Sequence, residues 1–174
     1  MLVGVPKEIK NHEYRVGLTP ASVHALCERD HQVVVEAGAG ARVGFADGDY
    51  LAAGARIVNS ASEVFAAEMV VKVKELQPPE YDLLRRGQIL FAYLHLAPDP
   101  ALLDVLLASG VSALAYERVT DRQGRSPLLG PWARLAGRLA VPGGAWGAPM
   151  YDVLSGALSG GARGRVPMRG VGAR

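Results

Sequence analysis

Short apolar runs alternate with amphipathic stretches from residue 2 to about residue 115. Residues 2–5 (LVGV) read as a buried strand bounded by Pro6. Thr19-Pro20 opens a helix, because threonine caps a first turn and proline suits its first position. Val23, Leu26 and Cys27 then fall at i, i+3 and i+4 on one helix face. Residues 32–36 (QVVVE) are a second strand, 47–53 a short helix stopped by Gly54, and 56–58 a third strand. Ser60 and Glu63 have capping-box spacing and start a helix to about residue 67. Residues 69–73 and 88–92 are strands, 99–109 is a helix with Gly110 past its end, and 112–115 is a further strand.

Strand, helix, strand, repeated, requires crossover connections and predicts an α/β fold with a doubly wound, mostly parallel sheet. Near-continuous apolar runs such as VVV and MVVKV suit strands buried on both faces.

The chain has 174 residues, 49% of them apolar, which suffices for one domain with a core. No apolar run reaches the roughly 18 to 20 residues of a membrane helix. The opening Met1-Leu-Val-Gly-Val-Pro6 is too short for a signal peptide and lacks a basic leader. Cys27 is the single cysteine, so no internal disulfide forms, in keeping with a reducing compartment. These features predict a cytoplasmic protein. The net charge of +2 conceals a break: residues 1–121 hold 11 Lys and Arg against 16 Asp and Glu (−5), and residues 122–174 hold 8 Arg against one acid (+7). The second segment also carries 12 of the 21 glycines. There the alternation stops: residues 131–141 read as one linker helix, and residues 142–174 as a poorly ordered Gly/Arg/Pro-rich tail. Eight arginines without interleaved aromatics or a motif do not make a nucleic-acid surface.

Parallel sheets bind ligands beyond the C-terminal ends of their strands. Three strand exits carry chemistry. Residues 7–15 (KEIKNHEYR) are charge-dense and include Arg15, whose planar fork matches a carboxylate. Lys74 follows the 69–73 run, with Lys72 two residues back inside it, and alternation places both on one face. Tyr93-Leu-His95-Leu follows the 88–92 run, and histidine titrates near neutrality. Taken singly, each reads more often as a solvated loop, a snorkelling lysine or a structural histidine. Together, a guanidinium, an ammonium and an imidazole suit a small carboxylic acid whose neighbouring carbon exchanges protons. No second His or Cys stands at metal-ligand spacing, so no zinc site is expected. Gly38-Ala-Gly40 mimics a dinucleotide loop, but Val43 occupies its third glycine position, so it reads as a turn.

The stretch Val3-Gly-Val-Pro-Lys-Glu-Ile-Lys-Asn-His-Glu-Tyr-Arg-Val-Gly-Leu-Thr-Pro20 resembles the N-terminal signature of alanine dehydrogenases. Glu36-Ala-Gly-Ala-Gly40, Val71-Lys-Val-Lys-Glu75, residues 87–97 (GQILFAYLHLA) and Ala115-Tyr-Glu-Arg-Val119 continue the resemblance over residues 1–130, read as a substrate domain. The resemblance implies NAD-dependent interconversion of L-alanine with pyruvate and ammonia, and a homo-oligomer. It places Arg15 and Lys74 on the substrate carboxylate, His95 as acid–base, and Tyr93 and Glu117 around the pocket. It also implies an NAD-binding domain whose glycine-rich loop and acids do not occur here, so no turnover is expected from this chain alone. The family's serine-containing segment before the linker helix corresponds to Pro131-Trp-Ala-Arg134, where Ala133 lacks the hydroxyl. The charge break suggests a truncated or frame-shifted reading frame. Two other readings stand beside this one: an interaction module pairing with intact subunits, and a proton-translocating transhydrogenase relative, which lacks the Tyr-Leu-His-Leu-Ala stretch.

Overall fold

Six short strands pair side by side, all parallel, in the order β3-β2-β1-β4-β5-β6. They are β1 (Leu2–Val5), β2 (Gln32–Glu36), β3 (Arg56–Val58), β4 (Met69–Val71), β5 (Ile89–Ala92) and β6 (Ser112–Ala115). Helices α1 (Pro20–Cys27), α2 (Asp47–Ala52), α3 (Ala61–Val64) and α4 (Pro100–Ser109) lie in four of the five crossovers, and the one from β4 to β5 has only a 3₁₀ segment. The computed structural model describes residues 1–127; the linker helix and tail expected from residue 131 onward lie outside the described residues. Met1–Arg118 form one compact unit, and a second begins at Val119.

Chain direction reverses its sideways progress once. From β1 the sheet grows through β2 to β3, then returns to place β4 on the other side of β1. That reversal between β1 and β4 is where an open parallel sheet forms a crevice for ligands.

The apolar runs bury both faces, as their lack of alternation predicts. Val33 and Val35 join Val3, Val5, Val23 and Tyr50 beneath α1 and α2. Val34, pointing the opposite way, packs with Val58, Val64 and Ala67 beneath α3. Leu102 and Leu106 of α4 sit one turn apart and pack with Val70, Leu90 and Ala92. Each fully buried aliphatic side chain of this kind contributes about 1.5–3 kcal/mol. The β6 edge is more open: Leu107 is 71% exposed and Leu114 49%.

Helix starts follow the capping logic. The Thr19 hydroxyl accepts from Ser22 N at 3.2 Å, and an Asp99 carboxylate oxygen accepts from Leu102 N at 3.0 Å. Tyr50 of α2 donates its hydroxyl to Leu18 O at 2.9 Å, and burial, with Asp47 and Asp49 nearby, pushes its pKa up to about 12.

Two elements are shorter than their sequence patterns predict. The Ser60 helix ends at Val64 rather than near residue 67, because Phe65 turns into the core and Ala67 N closes a tighter turn onto Val64 O. Strand β4 ends at Val71 rather than residue 73: Lys72 N and Val73 O still bond to the β5 side, but on the β1 side Val73 N donates to the Glu8 carboxylate instead of to a strand. Pro78–Leu83, between β4 and β5, is a 3₁₀ segment.

Candidate functional site

Because β1, β4 and β5 are adjacent and parallel, the segments leaving them emerge along one edge of the sheet. Arg15 comes from the loop after β1, Lys74 from the segment after β4, and Tyr93 and His95 from the segment after β5. Glu117 lies in a 3₁₀ turn, Tyr116–Arg118, directly after β6.

Each cationic position is anchored by a carboxylate. Glu13 grips Arg15 with both oxygens: Nε donates to Oε1 at 2.8 Å and Nη2 to Oε2 at 2.5 Å, and the Arg15 backbone N–H also donates to Oε1 at 2.9 Å. Glu13 is buried. This fork-to-fork contact holds the guanidinium plane in one orientation. It also holds the Glu13 carboxyl below its ordinary value of 4.5, burial opposing and the Arg15 and Lys74 charges helping.

A group with a lowered folded-state pKa stabilises the fold above its unfolded value and loses that contribution as pH falls through the folded one. Acid unfolding below pH 4.5 should therefore draw on Glu13. A Glu13→Gln variant is expected to show a shallower loss of stability from pH 5 downward, measured by urea unfolding at several pH values. An unchanged slope would remove Glu13 from the acid transition.

Glu117 does for the β5 exit what Glu13 does for the loop. Its Oε1 accepts from Leu94 N at 3.2 Å and His95 N at 2.9 Å. His95 has φ +47°, in the left-handed region that non-glycine residues seldom occupy. The Glu117 carboxylate supplies the hydrogen bonds that keep it there. The His95 side chain is exposed, with its ring 6.4 Å from the Tyr93 ring and inclined by 28°. Tyr93 is buried and meets Tyr116 edge-to-face at 5.1 Å. Burial pushes the Tyr93 hydroxyl above its ordinary 10, the Arg15 charge opposing and Glu117 adding. Arg15, Tyr93, Glu117 and His95 are thus linked by electrostatic and hydrogen-bond contacts. Lys74, half-buried, acts through its charge on Glu13 and Glu75.

Alternation places both lysines on one face, but their surroundings differ: Lys74 is half-buried and Lys72 fully buried. The strand ends before Lys72, and Lys72 is 0% exposed. Its Nζ donates to Glu80 Oε1 at 2.5 Å and lies 3.4 Å from Glu8 Oε2. Sequence reasoning missed Glu8, Glu13 and Glu80 as partners. Only Glu13, two residues from Arg15, left a local signal; Glu80 stands eight residues from Lys72, and Glu8 meets it only through the fold.

A cavity of about 270 Å³ opens between loop 7–15 and the turn at residues 38–42, with Arg15 on its wall. Arg42 lies over the Tyr14 ring at 4.9 Å, bridging its two sides. Gly38-Ala-Gly40 is a turn, as expected. Gly38 has φ +72° and donates its N–H to Asp47 Oδ1 at 2.8 Å, while Gly40 is packed tightly against Phe45 and Tyr50. A short 3₁₀ segment follows, Ala41–Val43. A pyrophosphate needs unoccupied N–H groups opening a helix, so this turn does not fit a dinucleotide.

The loop bearing Arg15 approaches β4 closely at Gly17, where an added Cβ would stand 2.4 Å from Val71 O. Gly17→Ala must push loop and strand apart. We expect it to lower stability by about 1–3 kcal/mol, read from urea unfolding; wild-type stability would show that the loop yields freely.

Among the described residues, no group of His, Cys, Asp and Glu is placed to hold a metal, and no helix is long and apolar enough to cross a membrane.

Residues 4–136 match the family model described as alanine dehydrogenase/PNT, N-terminal domain. The alanine dehydrogenase of Mycolicibacterium smegmatis is 49% identical over 168 residues, covering 96% of this chain and 45% of that protein. The alignment runs well past residue 141. The alanine dehydrogenase of Bacillus subtilis is 51% identical over 146 residues, 83% of this chain and 38% of that protein. The chain thus spans less than half the length of these relatives. Among solved structures, an L-alanine dehydrogenase superposes with a TM-score of 0.80 at 52% identity, over 84% of this chain and 40% of that one. A transhydrogenase from Sinorhizobium meliloti superposes with a TM-score of 0.74 at 30% identity, over 84% and 44%. With its parallel strand order and these matches in agreement, the chain belongs to the alanine dehydrogenase/PNT N-terminal domain family.

Proposed function

We propose that this chain is the substrate-binding portion of an NAD-dependent L-alanine dehydrogenase, holding alanine or pyruvate by its carboxylate. The observation that carries the reading is the placement of Arg15, Lys74 and His95 at the exits of three adjacent parallel strands. Two cations orient a carboxylate, and orientation of the reacting carbon is itself a large part of catalysis. An imidazole beside it can give or take a proton at the oxygen or nitrogen on that carbon. Tyr93 and Glu117 shape and brace this edge. NAD would supply the hydride chemistry when bound; the Gly38–Gly40 turn, whose Gly38 N–H is already taken by Asp47, does not fit it. Residues 1–130 form the substrate domain in this reading, working as part of a homo-oligomer in the cytoplasm.

Calorimetric titration of the 174-residue chain with pyruvate, L-alanine and acetate tests the reading. Saturable binding of pyruvate, with acetate much weaker, is the expected result. Heats no larger than dilution for all three would end it. The higher identity to the L-alanine dehydrogenase structure (52% against 30%) favours this reading over a transhydrogenase-like role, for which no pyruvate binding is expected.

A further inference from the structure

Glu8 has no part in the substrate grip described above, yet it is the acid most tightly built into the strand exits. Its side chain is 2% exposed. Oε1 accepts from Val73 N at 2.6 Å and from Lys74 N at 3.4 Å, 65 and 66 residues away in sequence. Oε2 is buried, accepts no hydrogen bond, and lies 3.4 Å from Lys72 Nζ. Lys72 is shared with Glu80, so one ammonium serves two carboxylates. On the β5 side the backbone bonds continue, Lys72 N donating to Phe91 O and Tyr93 N to Val73 O, but on the other side β1 ends at Val5, and Val73 N–H meets the Glu8 carboxylate where a further β1 residue would stand. The carboxylate of Glu8 therefore replaces the missing strand residue. It joins the loop that carries Arg15 to the backbone that carries Lys74.

We propose that Glu8 is a positioning residue: by binding the Val73 and Lys74 amides from the Arg15 loop, it holds the two cations of the carboxylate grip in one geometry. The proposal rests on the carboxylate-binding reading above. Burial pushes the Glu8 carboxyl above its ordinary 4.5, with Lys72 opposing and Glu80 adding. Arg15 and Tyr116 face it as well. The part that binds the two amides is the acceptor oxygen Oε1, which a carboxamide also presents. A generic core role would follow charge and volume; a positioning role follows that oxygen.

The test uses the full chain, ¹⁵N-labelled, as wild type, Glu8→Gln, Glu8→Asp and Glu8→Ala. Amide exchange of Val73 and Lys74 and pyruvate affinity are measured in each. Wild type and Glu8→Gln should agree within about threefold in both. Glu8→Ala, and Glu8→Asp with one methylene too few to reach, should exchange faster at these two amides and bind pyruvate more weakly, each by about tenfold or more. Amides of α1 and α4 should exchange alike in all four, which separates local release from unfolding. Should Glu8→Ala fail to fold, Glu8→Asp and Glu8→Gln decide the matter between them. Pyruvate affinity that survives Glu8→Asp or Glu8→Ala, or that is lost in Glu8→Gln while its Val73 and Lys74 amides stay protected, overturns the proposal. If wild type itself binds no pyruvate, the substrate reading fails separately. Exchange then judges Glu8: unchanged protection of Val73 and Lys74 in Glu8→Ala or Glu8→Asp overturns its hold on the β4 exit.

Discussion

Replacing Arg15 with lysine should remove most of the pyruvate-dependent rise in melting temperature while leaving the chain folded. A ligand that binds only the folded state stabilises it by RT ln(1 + [L]/Kd), about 2.7 kcal/mol at a hundredfold excess over Kd. For a chain of this size, 1 kcal/mol moves Tm by roughly 2–4 °C. The wild-type rise should then be about 5–10 °C at that excess. Lysine keeps the charge facing Glu13 but not the fork, and the two are not interchangeable where two parallel hydrogen bonds set the geometry. A hundredfold weaker Kd would leave a rise of only about 1–2 °C. Arg15→Ala is the poorer probe, because it strands Glu13, whose side chain is only 7% exposed, and so lowers Tm before any ligand is added. A thermal-shift titration of Arg15→Lys with pyruvate decides the point. A rise equal to the wild type's would mean that the carboxylate is held elsewhere.

The largest effect on stability should come from Lys72→Met. The substitution keeps the aliphatic bulk and removes the ammonium, leaving Glu8 and Glu80 buried together with no cation between them. Breaking a buried ion pair by removing one partner typically costs about 3–5 kcal/mol. The loss should depend on pH in a definite direction. Two facing carboxylates raise each other's pKa. A group whose folded pKa is raised keeps its stability below the unfolded value and loses it as pH rises through the folded value. Glu8 already stands above 4.5 with Lys72 present, so in the variant the deficit should be largest near neutral pH and shrink toward pH 5. Urea unfolding of both proteins at several pH values measures this. A deficit independent of pH would mean that Lys72 contributes packing rather than charge.

The β4 exit shows where sequence reading stopped. The run Met69-Val-Val-Lys-Val73 has the composition of one strand, and its strand-forming character is real. What ends the strand at Val71 is a carboxylate on the β1 loop, and no local pattern carries that information. The same holds for Lys72. Lysine at a strand end ordinarily reaches water, and its complete burial depends on Glu80 within Pro78–Leu83 and on Glu8. The α3 helix was misjudged at its end for a related reason: Phe65 is drawn into the core by partners distant in sequence. Caps at Thr19 and Ser60, by contrast, were legible because they are made within three residues.

By itself, the sequence determined the α/β class, the place of every strand to within two residues, the caps, and the candidate residues at strand exits. These depend on periodicity and on contacts between near neighbours, which a linear pattern records. Only the tertiary structure decided that β1, β4 and β5 lie side by side, which brings the exits bearing Arg15, Lys74 and His95 to one edge. It alone revealed the carboxylates that brace them: Glu13 on Arg15, Glu117 on the His95 backbone, Glu8 on the Lys74 backbone. Hydrogen bonds and ion pairs act over about 3 Å in space, and two of these three join residues 22 and 66 positions apart, a separation that only folding closes.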